Sequence, residues 1–132
     1  MATVRTVTVK SSGGDYASLN AALSGESGDL VYLDRELHIN CYGFEDTAPA
    51  TTGTGYTTDA TRFIQISIPT AERHDGTSAA ISGRNNYRLN TAASDANALS
   101  IYEQYTVCDG LENLGWNGYA GWNSRYAIYA SG

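Results

Sequence analysis

Short runs of alternating polar and apolar residues, interrupted every few positions by Gly, Asn, Asp or Ser, commit this chain to β structure almost throughout. Thr3-Val4-Arg5-Thr6-Val7-Thr8-Val9 alternates and is rich in β-branched residues, the pattern of a strand with one face buried. Leu37, Ile39 and Cys41 alternate with Glu36, His38 and Asn40, and Ile64, Ile66 and Ile68 alternate with Gln65 and Ser67. Leu30-Val31-Tyr32-Leu33 reads as a further strand. So do Tyr87-Arg88-Leu89, Ala98-Leu99-Ser100-Ile101, Thr106-Val107-Cys108, Leu111 with Leu114, and Tyr126-Ala127-Ile128-Tyr129. A single short helix breaks the series. Asp15 is placed to cap it, Tyr16, Leu19, Ala22 and Leu23 fall on one face, and Gly25 supplies a stop. A helix this short is unstable alone, so its apolar face must cover something.

The 132 residues suffice for one core, and the whole chain, 1–132, is read as one domain. Charge makes up only 17% of the residues, Lys10 is the only lysine, and the formal net charge is -6. A phosphate backbone repels such a surface, which argues against nucleic acid as a partner. The first ten residues hold no apolar core of a secretory signal, and no run approaches the roughly 18 apolar residues that span a bilayer. The expectation is a soluble protein made in the cytoplasm, with no membrane partner. Cys41 and Cys108 lie far apart in apolar strand-like runs, and both are expected to be buried free thiols.

Two all-β solutions compete. A sandwich calls for hairpins with Asn-Gly or Asp-Gly turns, and Asp75-Gly76, Asp109-Gly110 and Asn117-Gly118 are such dipeptides. Against this, Asp109-Gly110 lies between very short strands, and the strands near the C-terminus follow one another round short corners, as coils of a solenoid do. No fixed repeat length is legible.

The order of the first forty residues is more specific: a strand, then Gly13-Gly14-Asp15-Tyr16-Ala17-Ser18-Leu19-Asn20-Ala21-Ala22-Leu23, then Gly28-Asp29-Leu30-Val31-Tyr32-Leu33. This resembles the opening of pectin-lyase-like right-handed parallel β-helices. Thr57-Thr58-Asp59-Ala60-Thr61-Arg62-Phe63-Ile64, Ala71-Glu72-Arg73-His74-Asp75-Gly76 and the stretch from Ala98 to Gly110 are similar to β-helix proteins of phage and prophage structural gene clusters. The resemblance implies an all-β fold, a short right-handed parallel β-helix with an N-terminal capping α-helix. Residues 1–29 would form the first strand and the cap, and 30–132 the coils. It also implies a non-enzymatic virion protein, decorating a capsid or forming part of a fibre or spike, with itself or other virion proteins as partners. Tyr129-Ala130-Ser131-Gly132 carries no capping signal, so a longer protein or another subunit is expected to cover that end.

Enzymes of the resembled class cut acidic polysaccharides with clustered carboxylates and an arginine, or with paired carboxylates. The corresponding residue types here are Asp95, Glu103, Asp109 and Glu112, with Arg88 as the basic group. They form no recognised motif and read as a solvated acidic face, so no catalytic residue is assigned. His38 and His74 lack a Cys or His partner at metal spacing, and neither a metal nor another cofactor is expected. Gly13-Gly14 and Gly53-Thr54-Gly55 read as turns.

One segment stands apart: Gly-Trp-Asn occurs twice between Gly115 and Tyr126 and brings in both tryptophans. Trp116, Tyr119, Trp122, Arg125 and Tyr126, with Tyr102 and Tyr105 nearby in sequence, are the candidate interface or glycan-binding residues. Such aromatics can pack on a neighbouring coil, enter a protein interface or stack on sugars, and the residues leave all three open. The ten tyrosines against two phenylalanines suit surfaces that are half wet. A carbohydrate-active or glycan-binding β-helix protein, a lyase, hydrolase or tailspike segment, is the alternative to the virion reading. A folding module of a larger β-helix protein is the third.

Overall fold

The computed structural model describes residues 2–72, 87–89, 98–113 and 128–130. The alternating runs become the strands of the largest sheet: β1 (Thr3–Val9), β2 (Arg35–Cys41), β5 (Ile64–Ser67) and β8 (Thr106–Asp109), side by side in that order. Leu37, Ile39 and Cys41 are buried while Glu36, His38 and Asn40 are only partly covered, and Ile64 and Ile66 repeat this against Gln65 and Ser67. Pairing is parallel and in register, with Val7 beside Ile39, Ile39 beside Ile66, and Ile66 beside Cys108. Like residues therefore stack on like along the inner face.

Two further sheets are made of very short strands. β3 (Glu45–Asp46), β6 (Arg88–Leu89) and β9 (Glu112–Asn113) form one, and β4 (Ala50–Thr51), β7 (Leu99–Ile101) and β10 (Ile128–Ala130) form the other. Every strand pair among the described residues is parallel. The chain visits the three sheets in one fixed order, β2-β3-β4, then β5-β6-β7, then β8-β9-β10. Parallel neighbours cannot be joined by tight hairpins, and Asp109-Gly110 accordingly turns the chain from one sheet to the next, with Gly110 at φ 82. Asp75-Gly76 and Asn117-Gly118 lie outside the described residues. Among the described residues the regular structure is thus mostly strand, in small parallel sheets.

The single α-helix among the described residues, α1 (Leu19–Gly25), buries Leu19, Ala22 and Leu23 against β4, β1 and β2. Its cap differs from the sequence expectation. Ser18 is the N-cap, accepting from Ala21 N at 3.0 Å, while Asp15 turns back to β1 and accepts from Thr8 N at 2.9 Å. Tyr16 N donates to Thr8 O and Lys10 N to Tyr16 O, so residues 15–16 occupy the C-terminal end of the outer edge of β1. That satisfies backbone groups that an edge strand otherwise exposes. Gly25 is the last helical residue, and the Tyr16 ring needs its lack of a side chain. A Cβ there would stand 2.6 Å from Tyr16 Cε1.

Leu30-Val31-Tyr32-Leu33, expected as a strand, is a turn. Asp29 Oδ1 accepts from Tyr32 N at 2.9 Å, Asp34 closes the turn at φ 49, and Tyr32 is 86% exposed. Only Leu30 of the four is buried. The core lies between the sheets and under α1, and includes Val7, Val9, Leu37, Ile39, Ile64, Ile66, Ile68, Leu89 and Leu99. No helix of the described residues is long and apolar enough to cross a membrane.

Candidate functional site

Of the seven aromatic and basic candidates, Tyr102 and Tyr105 are described, and both are exposed, at 42% and 41%. Trp116, Tyr119, Trp122, Arg125 and Tyr126 lie outside the described residues, as do Asp95 and His74. Tyr102 and Tyr105 sit on the connection from β7 to β8. Their backbones are fixed from the preceding circuit, Tyr102 N donating to Thr52 Oγ1 at 2.9 Å and Tyr105 O accepting from Ile64 N at 3.1 Å.

Between this connection and residues 56–58 lies a cavity of about 330 Å³, lined by Tyr56, Thr57, Thr58, Tyr102, Glu103, Gln104 and Tyr105. The size is at the lower end for a small-molecule site. A second recess of about 250 Å³ adjoins it, sharing Gln104 and Tyr105 and adding Phe63 and Val107. The floor is rigid. Tyr56 is 5% exposed and its hydroxyl donates to Leu23 O, at the inner side of α1, at 2.6 Å. Burial, with smaller contributions from the charges of Glu26 and Tyr16, holds the Tyr56 phenol well above its ordinary value.

The wall after Thr58 is held by ionic contacts. Asp59 Oδ1 accepts from Thr61 N and Arg62 N, and Arg62 reaches Asp59 Oδ2 at 3.0 Å and Asp34 Oδ1 at 2.8 Å. Hydrogen bonds from the Thr61 backbone, then from Arg62 and the Thr61 hydroxyl, hold the Asp59 carboxyl below its ordinary value despite some opposing desolvation. Glu103 projects into the cavity with one long contact, Thr58 Oγ1 to its Oε2 at 3.5 Å. No described residue forms an ion pair with it.

The described acids among those singled out from sequence lie on different elements. Glu103 lies in this cavity, Asp109 ends β8 in an exposed position, and Glu112 is on β9. Arg88 is 7% exposed and gives its Nη2 to Glu45 Oε2 at 3.2 Å; the strand register puts Glu45, Arg88 and Glu112 on successive strands. His38 bonds Glu36 Oε1 at 2.7 Å and lies near the Phe63 ring. Among the described residues no group of three His, Cys, Asp or Glu could hold a metal ion.

Both cysteines are free, but only Cys41 is buried. Its thiol is pushed above its ordinary value, first by burial and then by the charge of Asp46. Cys108 is exposed, against expectation. It stacks on Ile66 and shares the inner face, yet it belongs to the outermost described strand of its sheet, with no described strand on its far side.

Tyr56, Thr57, Thr58 and Gln104 were not singled out from sequence. They come together only because one circuit lies on another, and no local spacing encodes that. No protein-family model matches the chain, and comparison with the curated proteins and with the solved structures likewise found no match.

Proposed function

We propose that this chain is a rigid structural element of a phage particle, a short right-handed parallel β-helix that works through protein contacts in capsid decoration, a fibre or a spike. The three-fold repetition of the sheet order supports the coil, and its hand follows from the strong preference of parallel crossovers for right-handed connections. The particle itself is argued from the resemblance of residues 57–64, 71–76 and 98–110 to phage structural β-helices.

The observation that carries the contact role is the asymmetry between the two edges of the main sheet. The outer edge of β1 is covered over its C-terminal end, Thr8–Lys10, by residues 15–16, which lead into α1. On β8, Tyr105 O and Asp109 O accept from Ile64 N and Ile68 N. Because a residue's N–H and C=O point to the same side of a strand, those of Thr106 and Cys108 point the other way. Val107 is 47% exposed there, and Cys108 is exposed too. An edge of this kind is a template for pairing with another chain.

Sedimentation of the intact chain tests the contact role. Association that rises with concentration is expected, and Val107→Lys, which sets a charge on the exposed side of the edge strand, should return the monomer. A monomer at every concentration contradicts it. Mass spectrometry of purified particles tests the location separately, since absence of the chain from them removes the virion assignment.

A further inference from the structure

The cavity beneath Tyr102 and Tyr105 combines features that fit one kind of ligand. Three tyrosines, Tyr56, Tyr102 and Tyr105, line the same space of about 330 Å³ as the Glu103 carboxylate. Aromatic faces carry negative electrostatic potential and attract cations, and a carboxylate beside them supplies a full counter-charge. The nearest arginine in sequence to the Thr57–Thr58 wall, Arg62, is already engaged by Asp34 and Asp59. Glu103 has no cationic partner among the described residues. The chain as a whole carries a formal charge of -6, which draws cations towards it and disfavours anionic ligands. It also makes the same kind of contact elsewhere within itself: Lys10 Nζ lies 4.6 Å from the centroid of the Tyr42 ring.

We propose that this cavity binds an organic cation, the ammonium or guanidinium end of an amine or of a basic side chain, with Glu103 as counter-ion and the tyrosines as walls. The inference is independent of the virion assignment, because it rests on the lining of the cavity alone. Thr57, Thr58 and Gln104 supply hydroxyl and amide oxygens that accept the remaining N–H groups of such a ligand. The Asp59–Arg62–Asp34 contacts and the Tyr56 to Leu23 hydrogen bond fix two sides of the site in advance, so little ordering accompanies binding.

The test is an amide chemical-shift titration of the intact chain at low salt with four probes: tetramethylammonium, spermidine, the tripeptide Gly-Arg-Gly with blocked ends, and 3,3-dimethyl-1-butanol as a neutral probe of similar bulk. Saturable shifts at Thr57, Thr58, Glu103 and Tyr105 with one or more of the cations are expected, with dissociation constants on the order of millimolar for so small a contact. Tighter binding of spermidine points to a free amine as the source, and tighter binding of the tripeptide to a basic side chain. Glu103→Gln and Tyr105→Ala should each weaken binding about tenfold or more while the rest of the amide spectrum is unchanged. Added salt should weaken it further. Absence of shifts with every cation overturns the proposal. So does equal binding of the neutral probe.

Discussion

Asp46 joins three parts of the chain that are far apart in sequence. Its Oδ2 accepts from Leu19 N, at the start of α1, at 2.9 Å and from the Tyr87 hydroxyl, in the next circuit, at 2.6 Å; its Oδ1 accepts from Ala48 N at 3.1 Å. The residue is 2% exposed, so removing the carboxylate leaves buried donors without an acceptor. Asp46→Ala is expected to destabilise by about 3 kcal/mol in urea unfolding, the combined loss of a charged acceptor and its satisfied donors. Gly25 tells a different story at the same scale. A methyl group there meets the Tyr16 ring, so Gly25→Ala should cost about 1–3 kcal/mol, where an ordinary helix position would gain from alanine. The sequence pointed to Gly25 as a helix stop, and only the fold reveals the ring against it. Nothing local marks Asp46 as a clasp either, since its donors come from residues 19, 48 and 87.

At the scale of elements, the strands with clean alternation were legible. β1, β2 and β5 fall where Val, Ile, Leu and Cys recur at every second position, because a face packed on a core enforces that period. β3 and β4 were not, since two residues are too few to show any period. Leu30–Leu33 misled for a related reason. Four apolar residues without alternation do not specify a strand, and the Asx turn headed by Asp29 was the signal to weigh against them. The sequence places the helix to within a few residues, but Asp15, the first capping residue along the chain, is not its cap; Ser18 is. The Ser18 hydroxyl bonds the third residue into the helix, so Ser18→Ala should cost about 1 kcal/mol by the same unfolding measurement. Asp15→Ala should leave the helix cap intact and expose Thr8 N at the edge of β1 instead.

For the whole molecule, buried hydroxyls and a thiol set the response to pH. Burial holds the Tyr56 and Tyr87 phenols above their ordinary value of 10.0 and the Cys41 thiol above 9.0. For Tyr87 the charges of Cys41 and Asp46 and a hydrogen bond to Asp46 add to the burial. In alkali the unfolded chain therefore binds fewer protons than the folded one, and stability falls as pH rises. The urea midpoint should be level up to about pH 9 and then decline steadily, where ionisation of the unfolded chain begins. A midpoint unchanged to pH 11 would show that these groups ionise alike in both states.

The candidate cavity was half legible. Tyr102, Tyr105 and Glu103 stood out by type, but their meeting with Tyr56 and Thr58 depends on the stacking of circuits of unequal length, which hides any repeat. That stacking is what everything else rests on, and cross-strand proton contacts by NMR read it directly. Parallel, in-register strands predict amide to α-proton contacts that link Val7 to Ile39, Ile39 to Ile66 and Ile66 to Cys108 in one continuous ladder. Close α-proton to α-proton contacts between any of these strands, the mark of antiparallel pairing, would contradict it.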